Sequence, residues 1–523
     1  MHMFVRRGLV GPKNAKLLLF YVTHPHKEIR GVGEFIERIT GDSEDLWKTY
    51  GHESLLRSYE EYMNFLQGRR KATFIRFKNL RELLTPRSSN VISQVIGKRR
   101  MPRMGTYITK EMADKLICGG SCKLEDFHPK EFVDKQVEEI RRVVAGERAL
   151  IAVSGGVDST TSAALTHRAI GENLLCVMLD DAFMRDGEPE RVAQLLSQPP
   201  LNLPIKVLNV QQRFLSELKG LRDAEEKRTK FRETFYKTLS ETAEKEGCRF
   251  LVQGTIQADI VETKGGIKTQ HNVLAQIGIS PTERYGFQVI EPVASLYKEQ
   301  VRKVARYLGV PTELSERQPF PGPGLSVRVV GEIKTAKLEA LKKATAITEE
   351  NFAKHGPSQY FAAVIDNLEM PHHPCIVHIQ ETAARYLNVP TRYLSVSVFQ
   401  DKATGVKGGE RHYGEIAAIK AETEDGRIHE ATIKGLVALQ TKVVTENPSF
   451  TRILYAIREK PQKQPYVISL RAIQTHDFLT AQVSEIPWTT LTETAEKILE
   501  ACPNVAGVYY DVTPKPPATV EME

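Results

Sequence analysis

Short apolar runs alternate with amphipathic stretches through the middle of the chain. The runs are typical of buried strands, and the stretches, in which apolar residues recur every three or four positions, are typical of helices packed on a sheet. A helix is predicted from Glu131 to about Val144, and strands are predicted at Ala149–Val153, Leu174–Leu179, Ile205–Val210, Phe250–Val252 and Val289–Ile290. This alternation predicts an α/β domain whose doubly wound parallel sheet carries helices on both faces.

The pattern changes on either side of this region. Upstream, the apolar positions predict strands at Leu17–Val22 and Ala72–Phe77 and amphipathic helices at Val32–Ile39 and Ser54–Leu66, which together form a small α+β domain. Downstream, strands of antiparallel character are predicted at Tyr393–Val398, Ile416–Ala421, Val467–Ala472 and Val505–Val512. They indicate a separate C-terminal α+β domain.

The composition is that of a globular protein. Of 523 residues, 41% are hydrophobic and 26% are charged, which argues against a disordered, collagenous or coiled-coil chain. No apolar run approaches the roughly 20 residues of a membrane span, and no signal-peptide pattern is present. Six cysteines are too few for a disulfide scaffold, and the lone pair Cys118 and Cys122 is a weak signal for zinc or redox chemistry. We expect a cytoplasmic protein with no membrane partner.

Positive charge is concentrated near the N-terminus. Residues 1–103 hold 20 Lys and Arg against 10 Asp and Glu, a net charge of +10, whereas the whole chain carries +7. Such a basic segment is typical of a domain that binds a polyanion such as RNA, and a solvated basic face is the alternative. The aromatic residues among these charges fit base stacking or, given their helical spacing, a core.

A glycine-rich turn, Ser154–Ser159, joins the first strand of the α/β region to a helix predicted at Thr160–Ala169. Its glycines allow close backbone approach to an anion, and the amides at the start of the helix face that anion. Asp158 does not face bare phosphate favourably, which predicts a Mg²⁺ role for it. The turn is neither a Walker A loop nor a dinucleotide fingerprint, and a plain glycine turn is the alternative.

This turn resembles the signature of the ATP pyrophosphatases, which bind ATP and release pyrophosphate. Further motifs, in the order typical of the synthetase portion of GMP synthase, follow it at Phe214–Gly220, Gln253–Ile256, Ile267–Asn272, Gln318–Gly324 and Lys515–Thr519. A segment at 403–413 is similar to that family's dimerisation motif, and the whole similarity covers about residues 130–523. The glutaminase half of the two-function enzymes has no counterpart here, an arrangement similar to archaeal enzymes in which a separate subunit supplies ammonia.

The resemblance implies ATP-dependent amination of XMP. In the family reaction the C2 oxygen of XMP attacks the α-phosphorus of ATP, pyrophosphate leaves, and ammonia then displaces AMP to give GMP. ATP and Mg²⁺ are the implied cofactors. The implied partners are a separate glutamine amidotransferase subunit, the substrate XMP and a second copy of the chain in a homodimer.

The resemblance also implies roles for individual residues. Asp158, which is also the candidate metal ligand, and Lys268, in a glycine-rich lid segment, are the implied catalytic residues. The implied ATP-binding residues are Ser154, Gly155, Gly156, Val157, Asp158, Ser159, Asp180, Gly254 and Lys298. The implied substrate-binding residues are Asp259, Glu262, Arg317, Gln318, Pro323, Gly324, Arg328, Lys515, Thr519 and Glu521.

The implied domains follow from the same resemblance. They are a basic domain at 1–105 with a faint similarity to PUA/ASCH-like RNA-binding domains, a linker at 106–130, an ATP pyrophosphatase domain at 131–328 with the adenine nucleotide alpha hydrolase-like fold, and a dimerisation domain at 329–523 with insertions near 367–400 and 414–463. Two other functions stay open. One is a tRNA-modifying enzyme that adenylylates a base, and the other is a non-enzymatic nucleotide sensor or RNA-binding protein.

Overall fold

The computed structural model describes residues 2–9, 11–22, 28–54, 56, 58–97, 106–118, 127–257, 259–260, 284–407, 410–475 and 480–523. The chain divides into two compact units, Met1–His128 and Pro129–Glu523. Within the described ranges, no helix combines the length and the apolar character that crossing a membrane requires.

The first unit is built on an antiparallel sheet. Its strands are β1 (His2–Arg7), β2 (Leu17–Val22), β3 (Glu28–Asp42) and β4 (Lys71–Ser88), in the order β1-β4-β3-β2. Its helices are α1 (Ser43–Tyr50), α2 (Tyr59–Leu66), α3 (Ser89–Ile96) and α4 (Lys110–Cys118). Tyr62 of α2 is buried, stacks on Trp47 with ring centroids 4.7 Å apart and packs against Phe74 of the sheet. The aromatic residues at helical spacing in this segment therefore include core residues.

Two predictions in this unit need correction. The segment Val32–Ile39 is not a helix but part of β3, because hydrogen bonds to β2 on one side and β4 on the other override the helical spacing of its apolar residues. The helix predicted over Ser54–Leu66 begins only at Tyr59, where Ser58 caps it by accepting a hydrogen bond from the Glu61 amide at 3.1 Å. The strands predicted at Leu17–Val22 and Ala72–Phe77 are confirmed.

The described part of the predicted linker at 106–130 is not a bare connector. It contains α4, whose Leu116 is buried in one cluster with Ile29 and Val32 of β3. Apolar residues of an amphipathic helix are stabilised by burial against a sheet, so α4 belongs to the core of the first unit.

A five-stranded parallel sheet opens the second unit. Its strands are β5 (Arg148–Ala152), β6 (Leu174–Asp180), β7 (Ile205–Asn209), β8 (Cys248–Val252) and β9 (Gln288–Ile290), in the order β7-β6-β5-β8-β9. Its helices are α5 (Pro129–Val144), α6 (Val157–Ile170), α7 (Glu188–Leu196), α8 (Gln211–Glu217), α9 (Ala224–Glu246), α10 (Lys298–Leu308) and α11 (Thr312–Ser315). All five predicted strands and the parallel sheet are confirmed. The strand order reverses between β5 and β8, and ligands of such sheets bind at the carboxyl ends beside this reversal.

A larger mixed sheet follows. Its strands are β10 (Gln359–Asp366), β11 (Leu394–Lys407), β12 (Glu410–Ala421), β13 (Phe450–Glu459), β14 (Tyr466–Gln474), β15 (Gln482–Val483) and β16 (Val505–Asp511), in the order β10-β14-β16-β13-β12-β11 with β15 beside β14. Its helices are α12 (Thr335–Phe352), α13 (Ile376–Leu387), α14 (Ile433–Glu446) and α15 (Trp488–Ala501). The four predicted strands are present, but β12 pairs with β13, and β14 with β16, in parallel rather than antiparallel fashion.

The mixed sheet shares one apolar core with helices and loops of the parallel-sheet region, whereas the parallel sheet itself has a separate cluster. Phe183 and Phe214 from the parallel-sheet region join Leu325, Ile468 and Leu491 in a single buried cluster. The segments predicted as insertions, 367–400 and 414–463, contain β13 and parts of β11 and β12, so they contribute strands to this sheet.

Candidate functional site

The glycine-rich turn lies at the carboxyl end of β5 and leads directly into α6. Ser154 and Ser159 close it, with their hydroxyl oxygens 3.1 Å apart and the Ser159 oxygen accepting from the Ser154 amide at 3.2 Å. Gly155 has φ +74°, and a Cβ there would lie 3.0 Å from Val192. The first amides of a helix have no carbonyl partner within the helix, and with the helix dipole they form an anion site. The turn therefore has the geometry of a phosphate cradle.

Gly254 brings a second loop against this cradle. It follows β8, the neighbour of β5 across the reversal of strand order. A Cβ at Gly254 would lie 2.7 Å from the Ser159 nitrogen and 2.8 Å from the Asp158 carbonyl carbon. Because backbone atoms cannot turn aside as a side chain does, only glycine permits this approach.

Asp158 is the charged residue of the cradle. Its Oδ2 accepts a hydrogen bond from the Lys298 ammonium at 2.6 Å, which links α6 to the first residue of α10. Among the residues that the structure describes, no group hydrogen-bonds to its buried Oδ1. Burial raises the pKa of Asp158, and the Lys298 charge opposes that shift. Asp259, another predicted residue, adds a nearby negative charge, and its carboxylate accepts from the Ile256 amide at 3.0 Å.

Two carboxylates lie at the end of β6, on the other side of β5: Asp180 is the last residue of the strand, and Asp181 follows it. Asp180 accepts a hydrogen bond from the Gln211 amide group at 2.6 Å, and Asp181 accepts from the Phe183 main-chain amide at 2.9 Å. Burial raises the pKa of Asp181 to about 7. The structure therefore places Asp180 at the sheet edge where the sequence predicted it.

The predicted residues Lys268 and Glu262 lie outside the described residues, as does Cys122 of the cysteine pair. Within the described ranges, no group of three or more His, Cys, Asp or Glu side chains is arranged to hold a metal ion.

The proline-rich loop packs against the segment that follows β6. Gly324 has φ +60°, and a Cβ there would lie 2.4 Å from the Phe183 carbonyl oxygen, which accepts from the Leu325 amide at 2.8 Å. The Pro323 carbonyl accepts from the Ser326 hydroxyl at 2.6 Å. The loop predicted to bind the acceptor thus lies against the sheet edge that carries Asp180.

Arg317 and Gln318, at the start of this loop, both bond to other parts of the protein. Arg317 forms an ion pair with the buried Glu188 of α7. The Gln318 side chain donates to the Tyr360 carbonyl at 3.2 Å and accepts from the Tyr360 amide at 3.1 Å. These contacts dock the loop onto α7 and β10.

Arg328 and Glu521 form an ion pair, although 193 residues separate them. Arg328 donates to both carboxylate oxygens of Glu521, at 2.8 and 3.0 Å. Its guanidinium carbon lies 4.1 Å from the ring centroid of Phe361 and 5.2 Å from that of Phe320. Arg328 is 2% exposed, and nothing in the described parts of the chain hydrogen-bonds to its Nη1.

The C-terminal tail lies beside edge strand β11. The Thr404 and Val406 amides donate to the Met522 and Pro517 carbonyls at 2.8 and 2.7 Å. Thr519 donates to the Thr404 carbonyl at 3.0 Å, and Lys515 pairs through its main chain with Ala481. The predicted residues Lys515, Thr519 and Glu521 therefore lie in one C-terminal segment that is fixed by hydrogen bonds to β11 and to Ala481.

Two buried arginines beneath this tail were missed from the sequence. Arg452 and Arg471 both pair with Asp511, at 3.1 and 2.8 Å, and all three are fully buried. Arg471 also donates to the Thr519 and Val520 carbonyls, each at 3.0 Å. Burial and the neighbouring Arg471 charge lower the pKa of Arg452 to about 9. The available signal was an arginine inside each of two apolar strand sequences, β13 and β14.

Comparisons with known proteins find relatives for the larger part of the chain. A family model described as NAD synthase matches residues 129–322, and one described as GMP synthase C terminal domain matches residues 462–522. A subunit of the glutamine-hydrolyzing GMP synthase from Sulfurisphaera tokodaii is 42% identical over 399 residues, which are 76% of this chain and 100% of that protein. The same subunit from Methanopyrus kandleri is 39% identical over 404 residues, again 76% and 100%.

Two solved structures are similar to parts of the chain. NMN synthetase from Francisella tularensis is 19% identical, with a TM-score of 0.31 over 38% of this chain and 79% of that one. The ASCH protein from Zymomonas mobilis is 25% identical, with a TM-score of 0.21 over 22% of this chain and 80% of that one. Likenesses of this extent support no conclusion about activity.

Proposed function

Since the chain belongs to the family of these glutamine-hydrolyzing GMP synthase subunits, we propose that it aminates XMP to GMP at the expense of ATP. It is a ligase that forms a carbon–nitrogen bond. The C2 oxygen of XMP attacks the α-phosphorus of ATP and expels pyrophosphate, and ammonia then displaces AMP from the adenylyl intermediate.

The observation that carries this proposal is the cradle at the start of α6. Its amides and the Ser154 and Ser159 hydroxyls hold the departing pyrophosphate, where positioning and charge stabilisation supply most of the rate acceleration. Lys298, bonded to Asp158 at 2.6 Å, lies at the same helix end and adds positive charge. Asp180 lies on the β6 side of the cradle, where we place the adenosine.

Mg²⁺ fits this site through Asp158. The buried Oδ1 of Asp158 is an oxygen ligand that no described residue hydrogen-bonds to. Mg²⁺ in nucleotide sites is typically held by one or two carboxylates together with phosphate oxygens and water. When bound, the ion neutralises charge on the leaving pyrophosphate.

The acceptor binds between the proline-rich loop and the C-terminal tail. The Nη1 nitrogen of Arg328 is buried and donates no hydrogen bond to any group that the structure describes. A guanidinium is suited to a phosphate or a purine carbonyl oxygen because its donors have a fixed planar geometry. Gly324 belongs to this loop and Lys515 to this tail, and we assign both segments to XMP.

Ammonia comes from a separate glutamine amidotransferase subunit, in keeping with the description of the relatives as one subunit of a glutamine-hydrolyzing enzyme. We also propose that two copies of the chain form a homodimer. Its contact would include the hairpin of β11 and β12, which holds the motif at 403–413.

The basic first unit is proposed to bind RNA. Arg69, Arg70 and Lys71 are all exposed where α2 leads into β4. Neutralising phosphates with such side chains makes binding steeply salt-dependent. RNA binding that weakens as salt rises, and that is lost in Arg69→Ala/Arg70→Ala/Lys71→Ala, would support this role. No binding at low salt would reduce the unit to a structural addition.

The function is tested by incubating the full chain with ATP, Mg²⁺, ammonium and XMP and measuring pyrophosphate, AMP and GMP. We expect equimolar products that require both XMP and ammonium. Pyrophosphate release that requires tRNA instead of XMP would favour the base-modifying alternative. A stable ATP complex without pyrophosphate release would favour the nucleotide sensor.

A further inference from the structure

A buried ion pair joins α9 to the end of the C-terminal tail. Lys227 of α9 is 2% exposed, and its ammonium donates to the Val329 and Gly331 carbonyls at 2.7 and 2.8 Å. The same ammonium contacts the Glu523 carboxylate. These three acceptors use all three donors of the ammonium group.

Glu523 is held from a second direction as well. Its side chain is 2% exposed, and its Oε1 accepts from the Gly331 amide at 2.8 Å. Its main-chain amide donates to the Val327 carbonyl at 3.1 Å. Glu523 therefore ties the tail to the segment 327–331.

These contacts flank the Arg328–Glu521 pair on both of its chains. Arg328 immediately precedes Val329, one of the two residues whose carbonyls Lys227 binds, and Glu521 lies two residues before Glu523. The Lys227–Glu523 contact therefore holds the main chain next to both members of the Arg328–Glu521 pair.

Helix α9 also reaches the cradle side of the unit. Tyr236 of α9 is buried, and its hydroxyl accepts from the Gln253 side chain at 2.8 Å. Gln253 immediately precedes Gly254, which packs on the start of α6. One rigid helix therefore connects the nucleotide cradle with the tail.

A buried ion pair is weak evidence for stability, because desolvation offsets most of the attraction. The pair also fixes the relative positions of the two segments that carry it, and this constraint explains two buried charges better than stability does. We propose that Lys227 and Glu523 are positioning residues, which hold Arg328 and Glu521 in the orientation that binds the acceptor nucleotide. This inference rests on the proposed function.

Steady-state kinetics of Lys227→Met and Glu523→Gln test the proposal. We expect the KM for XMP to rise about tenfold, equivalent to about 1.4 kcal/mol, while the KM for ATP changes less than twofold. In the double variant the effects should not add, because the two residues act on one contact. Equal increases in both KM values, or an unchanged KM for XMP, would overturn the proposal.

Leu491→Ala is the matched control for lost stability. Leu491 is fully buried in α15 and lies in the shared core, so its truncation destabilises the fold by about 2–5 kcal/mol without touching the tail. We expect a lower Tm and an unchanged KM for XMP. If this variant raised the KM for XMP as much as Lys227→Met does, the effect would be one of stability, and the positioning role would fall.

Hydrogen exchange in the ligand-free protein separates failure of the contact from failure of the function. The Thr404 and Val406 amides, which donate to the tail, should exchange faster in Lys227→Met than in the wild type. In Leu491→Ala, any faster exchange of these two amides should be no larger than the loss of global stability explains. Unchanged exchange in Lys227→Met would refute the positioning role. Wild-type protein that lacks XMP-dependent turnover would refute the function instead.

Discussion

Replacing Gly254 with alanine should damage the cradle through one added methyl group. The new Cβ would lie 2.7 Å from the Ser159 nitrogen, whereas ordinary contacts begin at 3.4 Å. The loop after β8 and the start of α6 must therefore separate by about 0.7 Å. Both partners are backbone, so no side-chain rotation relieves the clash.

The size of the effect follows from that displacement. Overpacking of this kind costs about 1–3 kcal/mol, which lowers the Tm by a few degrees. Displacing a binding group by about 1 Å costs a reaction on the order of 10²-fold, because the reactants lose their alignment. We expect the kcat/KM for ATP to fall about 10- to 100-fold in Gly254→Ala.

The assay is ATP-dependent pyrophosphate release, with the Tm measured on the same preparations. Gly41→Ala is the control, since its Cβ would meet only Leu46, at 3.6–3.8 Å, in the first unit. It should leave the kcat/KM for ATP unchanged. If Gly254→Ala bound and turned over ATP as the wild type does, the close approach of the Gly254 loop to the cradle would be refuted.

Three further substitutions test the carboxylates and the backbone near the site. Asp158→Asn keeps the size but removes the charge bonded to Lys298, so turnover should fall about 10²–10³-fold, and a normal rate at saturating Mg²⁺ would contradict its assignment. Asp181 has its pKa raised by burial to about 7 in the fold, against about 3.9 in the unfolded chain. The folded state therefore holds the proton more tightly, and the stabilisation is complete below pH 4 and lost as the pH rises through 7. Asp181→Asn does not ionise, so its stability relative to wild type should increase between pH 4 and 8, by up to about 4 kcal/mol in denaturant titrations, and a flat difference would refute the raised pKa. Ala182 has φ +76°, where a Cβ is strained, so Ala182→Gly should stabilise the protein by about 0.5–1 kcal/mol, and a loss of stability would contradict that strain.

Apolar patterning predicted the parallel sheet correctly because its three central strands, β5, β6 and β8, are short apolar runs that are mostly buried. The same reasoning failed at Val32–Ile39, where apolar residues have helical spacing but the segment pairs with strands on both sides. It also missed β10 and β13, which are buried strands without the alternation that marks a half-exposed strand. Local periodicity does not report such pairing, because the partner strands are distant in the chain.

The cradle could be located from sequence since all its residues lie within one turn, where glycine conformation and the helix start act locally. Gly254 was assigned by resemblance, but the clash that requires glycine there appears only when β8 lies beside β5. The assignments of Lys268 and Glu262 stay predictions from the sequence.

The amino-acid sequence, whose site assignments stay predictions, indicated a phosphate-binding turn at 154–159 and, by resemblance, an acceptor loop at 317–324 and a contribution from the C-terminal residues. It did not reveal that Arg452, Arg471 and Asp511 support the tail, or that Lys227 reaches Glu523 across 296 positions. A turn that binds an anion depends on residues that are adjacent in the sequence, so it is visible there. The free-energy cost of burying a charge depends on the distant groups that the fold brings next to it.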